Sequence, residues 1–329
     1  MLRIGDIPLA NTVAVAPMSG VSDLPFRRVA ARAGAGMVVS EMVASAELAK
    51  ARPDVVRRAE GDPAIRPFII QLAGADPHWM AEGARIAADA GADIIDINMG
   101  CPARQVTGKA CGSALMRTPY EALKLIEATV NAVTRPVTLK MRLGWDHLNL
   151  NAPEIARSAE EIGIRMITVH GRTRNQFYKG SADWKTIALT KRAVRTPVLV
   201  NGDIKSAADA RAALQQSGCD GVMVGRAMIG RPWLAAEIAA AIRGETYRPP
   251  GPAAQAAIAI AHYEDMLAFY GVALGVRVAR KHLSAYLDHA AIPAQGNERK
   301  AAKALVCQSL KPAEVITTLL RIYGQEAAA

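Results

Sequence analysis

The sequence predicts a parallel α/β fold, a (β/α)8 TIM barrel, followed by a small all-helical C-terminal domain. Three observations carry this. Eight short β-rich runs alternate with helical patterns, the runs are nearly continuous in apolar residues, and the alternation stops at a proline-rich break. Strands buried on both faces read as unbroken Val/Ile/Leu/Met runs, as a parallel sheet covered by helices requires; Ile94-Ile95-Asp96-Ile97 is typical. Eight units in about 240 residues match the roughly 250 residues usual for the barrel. An open doubly wound sheet is the alternative. The count of eight, and the lack of G-x-G-x-x-G after the first run, favour closure.

In chain order the runs fall at 12–16, 37–40, 68–72, 94–98, 137–141, 166–170, 198–201 and 221–225. Ala-rich helical stretches lie between them, at 77–90, 154–162 and 207–216 among others. Arg248-Pro249-Pro250-Gly251-Pro252 stops a helix and reads as a linker. Beyond it only helical periodicity remains, at about 253–269, 272–289, 297–307 and 312–323. The expected organisation is a barrel over 1–245, a linker over 246–252 and a helical domain over 253–329.

Composition narrows the class. The 329 residues are 51% hydrophobic and 21% charged, which excludes a disordered or fibrous chain. No uncharged apolar run reaches the roughly 18 residues a membrane span needs. Arg3 and Asp6 stand where a signal peptide would place its apolar core, so a cytoplasmic protein with no membrane partner is expected. Cys101, Cys111, Cys219 and Cys307 form no C-x-x-C pair, which argues for free thiols and no metal. The net charge is +10 and unevenly placed: −2 over residues 1–100, +9 over 101–200 and +3 over 201–329. A localised basic field suits a polyanion, nucleic acid first.

The reactive face of such a barrel lies at the C-terminal ends of its strands. Reading those ends gives Pro17-Met18, Glu41, Gln71, Asn98 with Cys101, Lys140 with Arg142, His170, Asn201 with Asp203, and Gly225-Arg226. Apolar strands that end one after another in Gln, Asn, Lys, His and Asn are hard to explain by packing. A buried Lys140 or His170 costs several kcal/mol unless it is paired. Asn201-Gly202-Asp203 and Gly225-Arg226 follow the seventh and eighth runs, whose loops commonly form the phosphate site of this fold. Lys140 either compensates an anionic cofactor ring or pairs with Asp96 or Glu41. His170 either meets that ring or is a satisfied core residue. Cys101, between Gly100 and Pro102, is placed to act as a nucleophile or as a proton donor; with no His nearby in sequence, proton donor is preferred.

These motifs together resemble the tRNA-dihydrouridine synthases. The matching stretches are Ala16-Pro17-Met18-Ser19-Gly20-Val21-Ser22-Asp23, Gln71-Leu72-Ala73-Gly74, Asp96-Ile97-Asn98-Met99-Gly100-Cys101-Pro102, Lys140-Met141-Arg142-Leu143-Gly144, His170-Gly171-Arg172-Thr173-Arg174, Asn201-Gly202-Asp203-Ile204, and Gly225-Arg226 through Gly230-Arg231-Pro232-Trp233. They span all eight units in order and look most like the bacterial B-type branch. The resemblance implies an FMN enzyme that reduces a specific uridine of the tRNA D-loop to 5,6-dihydrouridine, with NADPH (or NADH) as reductant. Hydride would pass from reduced flavin N5 to C6 and a proton from Cys101 to C5. Pro17, Met18, Ser19, Gln71, Lys140, His170, Asn201, Gly202, Asp203, Gly225 and Arg226 would hold the cofactor, and Asn98 the uracil edge. Arg142, Arg172 and Arg174 beside the pocket, with Arg277, Arg280, Lys281 and His282 in the tail, would follow the tRNA backbone, and the enzyme would act as a monomer. A flavin barrel acting on a free pyrimidine is the alternative, but it needs no basic helical tail.

Overall fold

The structure, a computed structural model, describes residues 1–108, 110–290 and 296–325. It opens with a two-stranded antiparallel hairpin, β1 (Arg3–Ile4) and β2 (Ile7–Pro8), which the periodicity did not announce. Eight parallel strands follow: β3 (Val13–Val15), β4 (Met37–Ala44), β5 (Phe68–Ala73), β6 (Ile94–Met99), β7 (Val137–Arg142), β8 (Ile167–His170), β9 (Val198–Asn201) and β10 (Gly221–Val224). They close in sequence order, with β10 pairing β3. The (β/α)8 barrel expected from the eight runs is therefore the fold.

Period-two alternation divides each strand. Val15, Val38, Ile70, Ile95, Ile97, Leu139, Val169, Val200 and Val224 pack outward against the helices. The inward set begins apolar, with Ala14, Met37, Ile69, Ile94, Leu199 and Met223, and Ile4 and Leu9 of the hairpin segment join this cluster to plug the N-terminal end. Along the same inward register, Gln71 follows Ile69, Asp96 and Asn98 follow Ile94, and Asn201 follows Leu199. The interior thus changes from apolar to polar toward the strands' C-terminal ends.

One strand departs from the expected bounds by more than a residue at an end. β4 continues to Ala44 because its register against β5 shifts between Val39 and Met42. Ser40 Oγ accepts the amide of Gln71 there at 2.9 Å, replacing a ladder carbonyl, and Glu41 is aimed at the loop after β3. Bulges re-aim side chains in this way.

After β10 and the helix Leu234–Ile242 come the helices Pro252–Tyr270, Val272–Val278, Arg280–His289, Gly296–Gln308 and Pro312–Ile322. The helical stretch expected at 272–289 is divided at Ala279, where the amides of both His282 and Leu283 reach the Ala279 carbonyl and the turn tightens. Tyr263, Met266, Leu283, Tyr286, Leu287, Val306 and Leu319 form a second core, joined by Trp233 from the barrel. Arg28 ties the two parts, binding Asp62 at 2.5 Å and Asp265 at 2.7 Å. Among the described residues no helix is long and apolar enough to cross a membrane.

Candidate active site

A chain of side-chain hydrogen bonds crosses the floor of the barrel mouth, and its direction is determined. As a carboxylate, Asp96 can only accept. Its carboxylate takes Thr138 Oγ1 at 2.6 Å and Gln71 Nε2 at 2.6 Å. The carbonyl end of Gln71 therefore faces Asn98, whose Nδ2 donates to it at 2.7 Å. Asn98 Oδ1 is left to accept the amides of Gly100 (3.3 Å) and Cys101 (3.1 Å). Ser113 holds the loop from the far side, donating through Oγ to the Cys101 carbonyl at 2.8 Å. The half-buried thiol of Cys101 is thus carried on a backbone fixed at three points.

Lys140 stands beside this floor. Its amine donates to Asn201 Oδ1 at 3.3 Å, and Asn201 donates its own amide to Met223 O at 2.8 Å, which orients the oxygen toward the lysine. Among the described residues no carboxylate lies within ion-pair distance of Lys140, so the pairing with Asp96 or Glu41 that the sequence left open is not made. Burial lowers its pKa to about 8, the nearby Arg142 guanidinium adds to this, and Asp96 opposes it. Burial in turn raises the Asp96 carboxyl above its usual range against its two hydrogen bonds. His170 is driven well below its ordinary value by burial, then by Arg142, Lys140, Arg172 and Arg226, and stays uncharged.

The loops after β9 and β10 present donors without acceptors. Gly202 (φ +114°) packs so closely on His170 that a Cβ there would stand 2.6 Å from the ring, so only glycine fits. Among the described residues the amides of Gly202, Asp203, Gly225 and Arg226 make no hydrogen bond within the protein. Arg226 is exposed, its guanidinium 5.0 Å from the centre of the Tyr178 ring. Pro17 and Met18 are half-buried and Ser19 exposed in the loop after β3. Met18 donates its amide to Ser22 at 2.8 Å, and its sulfur lies against Gly225.

Three expected tRNA contacts are corrected. Arg142 is 1% exposed, and its guanidinium is spent on the carbonyls of Gly100, Thr173 and Phe177 at 2.8–2.9 Å. Arg172 is 2% exposed, paired with Asp203 at 2.6 Å and bonded to the carbonyls of Lys179 and Gly180. Both lock loops and do not face a backbone outside. His282 is 1% exposed, its ring against Phe26 (5.5 Å) and His262 (4.8 Å). Burial turns the shared basic face into two sides: Arg277 and Lys281 outward, Arg280 half-buried, His282 inward. Lys281 reaches the mouth, its amine 3.7 Å from where a Cβ on Gly20 would stand. Arg174 is half-buried, donating to Thr107 Oγ1 at 3.2 Å.

Sequence reading missed Tyr178, an exposed ring 6.3 Å from His170 and spanning Arg142 and Arg226. An aromatic residue inside the basic loop between Arg172 and Lys179 was the available signal.

The model of a family described as Dihydrouridine synthase (Dus) matches residues 14–320. The chain belongs to the dihydrouridine synthase family. It is 50% identical over 330 residues to a probable tRNA-dihydrouridine synthase of Rhodobacter capsulatus, covering 100% of this chain and 99% of that protein. A tRNA-dihydrouridine synthase B of Pseudomonas putida is 48% identical over 87% of this chain and 85% of its own. Among solved structures, a morphinone reductase mutant in complex with tetrahydroNAD is similar with a TM-score of 0.52 at 14% identity, over 77% of this chain and 92% of the other. A 2-naphthoyl-CoA reductase complex gives 0.56 at 13%, over 74% and 52%. At those identities the likeness is one of fold.

Proposed function

We propose that this member of the family reduces a specific uridine of the tRNA D-loop to 5,6-dihydrouridine, with bound FMN as cofactor and NADPH as reductant, acting in the cytoplasm as a monomer. The observation that carries the reading is an unpaired Lys140 cation beside a Cys101 loop pinned by Asn98, all at the mouth of one barrel.

The residues present fit a flavin mononucleotide. Free amides at Gly202, Asp203, Gly225 and Arg226, with the exposed Arg226 guanidinium, are donors set for a phosphate. Lys140 would compensate negative charge at the pyrimidine side of the ring, the kind of electronic tuning a protein contributes. When bound, the flavin supplies the hydride that adds to the base.

The chain's own groups do the rest. Uracil C5=C6 is conjugated to the C4 carbonyl, so addition at C6 leaves charge at C5 and O4, and C5 then needs a proton. The thiol of Cys101 holds that proton on a fixed loop, which lowers the cost of orientation. The second N–H of the Asn98 amide is free to meet a uracil carbonyl, since Gln71 takes only the first. The uridine must leave its stack to arrive, a cost of a few kcal/mol that a looped-out base lessens.

Cys101→Ala tests the assignment. Flavin reduction by NADPH should keep its parent rate while dihydrouridine formation falls by about 10²- to 10⁴-fold. Unchanged dihydrouridine formation would contradict the proton-donor role.

A further inference from the structure

The loops that follow β6 and β7 enclose a second recess at the barrel mouth, of about 430 Å³, lined in part by Arg117, Trp145, Asp146, Asn149 and Asn151. Its volume lies within the range of small-ligand sites.

The walls are held in shape. Gly144 (φ +159°) allows the Asn149 carbonyl to approach so closely that a Cβ would stand 1.8 Å from it. Trp145 donates its amide to that carbonyl at 3.2 Å, and Asn149 Nδ2 donates to Asp146 at 2.7 Å, closing the turn.

The chemistry is of two kinds. Two guanidiniums lie on the Trp145 ring, Arg117 at 4.8 Å and Arg174 at 4.6 Å, and among the described residues neither is in an ion pair. Opposite in character, Asp146 brings a carboxylate to the lining, while Asn151 is fixed by donating to Met116 O at 2.8 Å. Cations on an aromatic plate suit a phosphate, and a carboxylate on the same wall suits a ribose hydroxyl or a base amine. The recess also adjoins the chemistry. Arg174 is bonded to Thr107, and Gly112, on the segment leading to Arg117, packs against Cys101.

We propose that this recess binds a ribonucleotide, the one that neighbours the target uridine in the RNA strand. The RNA part rests on the proposed function, in which uracil reaches Cys101, the residue against which the segment leading to Arg117 packs.

The test uses the FMN-loaded full chain with adenosine 5′-monophosphate as probe, read by tryptophan fluorescence. Quenching should saturate in the parent, vanish in Trp145→Phe, and need about tenfold more AMP in Arg117→Glu. Arg117 is exposed, and circular dichroism checks that the variant keeps the parent fold. The same variant should bind tRNA about tenfold more weakly while NADPH reduces the flavin at the parent rate. AMP binding requires no uridine reduction, so a failure of the proposed reaction would leave this readout intact. Absence of AMP quenching, or equal affinity in the parent and Arg117→Glu, would overturn the recess. Unchanged tRNA affinity with slowed flavin reduction would overturn the RNA assignment and give the recess to the pyridine nucleotide.

Discussion

Lys140 carries the most information per residue. Its pKa of about 8 lies below the 10.5 of an unfolded lysine, so between those values the native chain holds fewer protons and native stability rises with pH. Anion binding runs the other way, because it favours the protonated amine. FMN affinity should fall above about pH 8, by at most about tenfold per unit, and Lys140→Met should both weaken binding and flatten that dependence. Fluorescence titration of FMN at several pH values checks it; a parent profile that stays flat above pH 8 would contradict it. Lys140 and Cys101 were legible in the sequence because charge and thiol at apolar strand ends have few packing explanations. The environments of Arg142, Arg172 and His282 were not. An arginine spent on three carbonyls reads like an arginine facing solvent, and periodicity alone does not say which helix face the barrel will cover.

At the scale of elements, the helix Leu24–Arg32 couples the first loop to the tail. Asp23 caps it, accepting the Phe26 amide at 3.0 Å, and also accepts Tyr270 Oη at 2.9 Å from the tail helix Pro252–Tyr270. Burial raises the Asp23 pKa from 3.8 to about 6, so between those values the native chain binds more protons and stability falls as pH rises. Tyr270→Phe removes a bond that favours the carboxylate. It should extend that falling limb to higher pH and cost about 2 kcal/mol at neutral pH, measured by urea denaturation at pH 4 to 8. An unchanged pH profile would sever the link. The eight strands themselves were legible from apolar runs. The β4 bulge and the N-terminal hairpin were not, since the bulge depends on Ser40 finding the Gln71 amide across the sheet and the hairpin strands are only two residues long.

Over the whole molecule, the hairpin and the apolar inward layer close one end of the barrel, and the polar register and basic loops open the other. The +9 surplus over residues 101–200 includes Arg117, Arg174 and Lys179 in the loops of that open side, and Lys281 extends this basic surface onto the tail. A double reversal of exposed charges, Arg277→Glu with Lys281→Glu, should weaken tRNA binding and lower its salt slope by about one unit for each phosphate no longer neutralised. Filter binding at graded salt reads this, and an unaltered slope would remove the tail from the interface. The charge asymmetry was visible in the sequence, whereas its division between buried loop locks and exposed cations needed the fold.

The most direct measurement is nucleoside mass spectrometry of dihydrouridine-free tRNA after incubation with the protein, FMN and NADPH. The expected result is a gain of two hydrogens on uridine at one D-loop position. A flavin-loaded, NADPH-oxidising protein that leaves every uridine unchanged would contradict the proposed reaction.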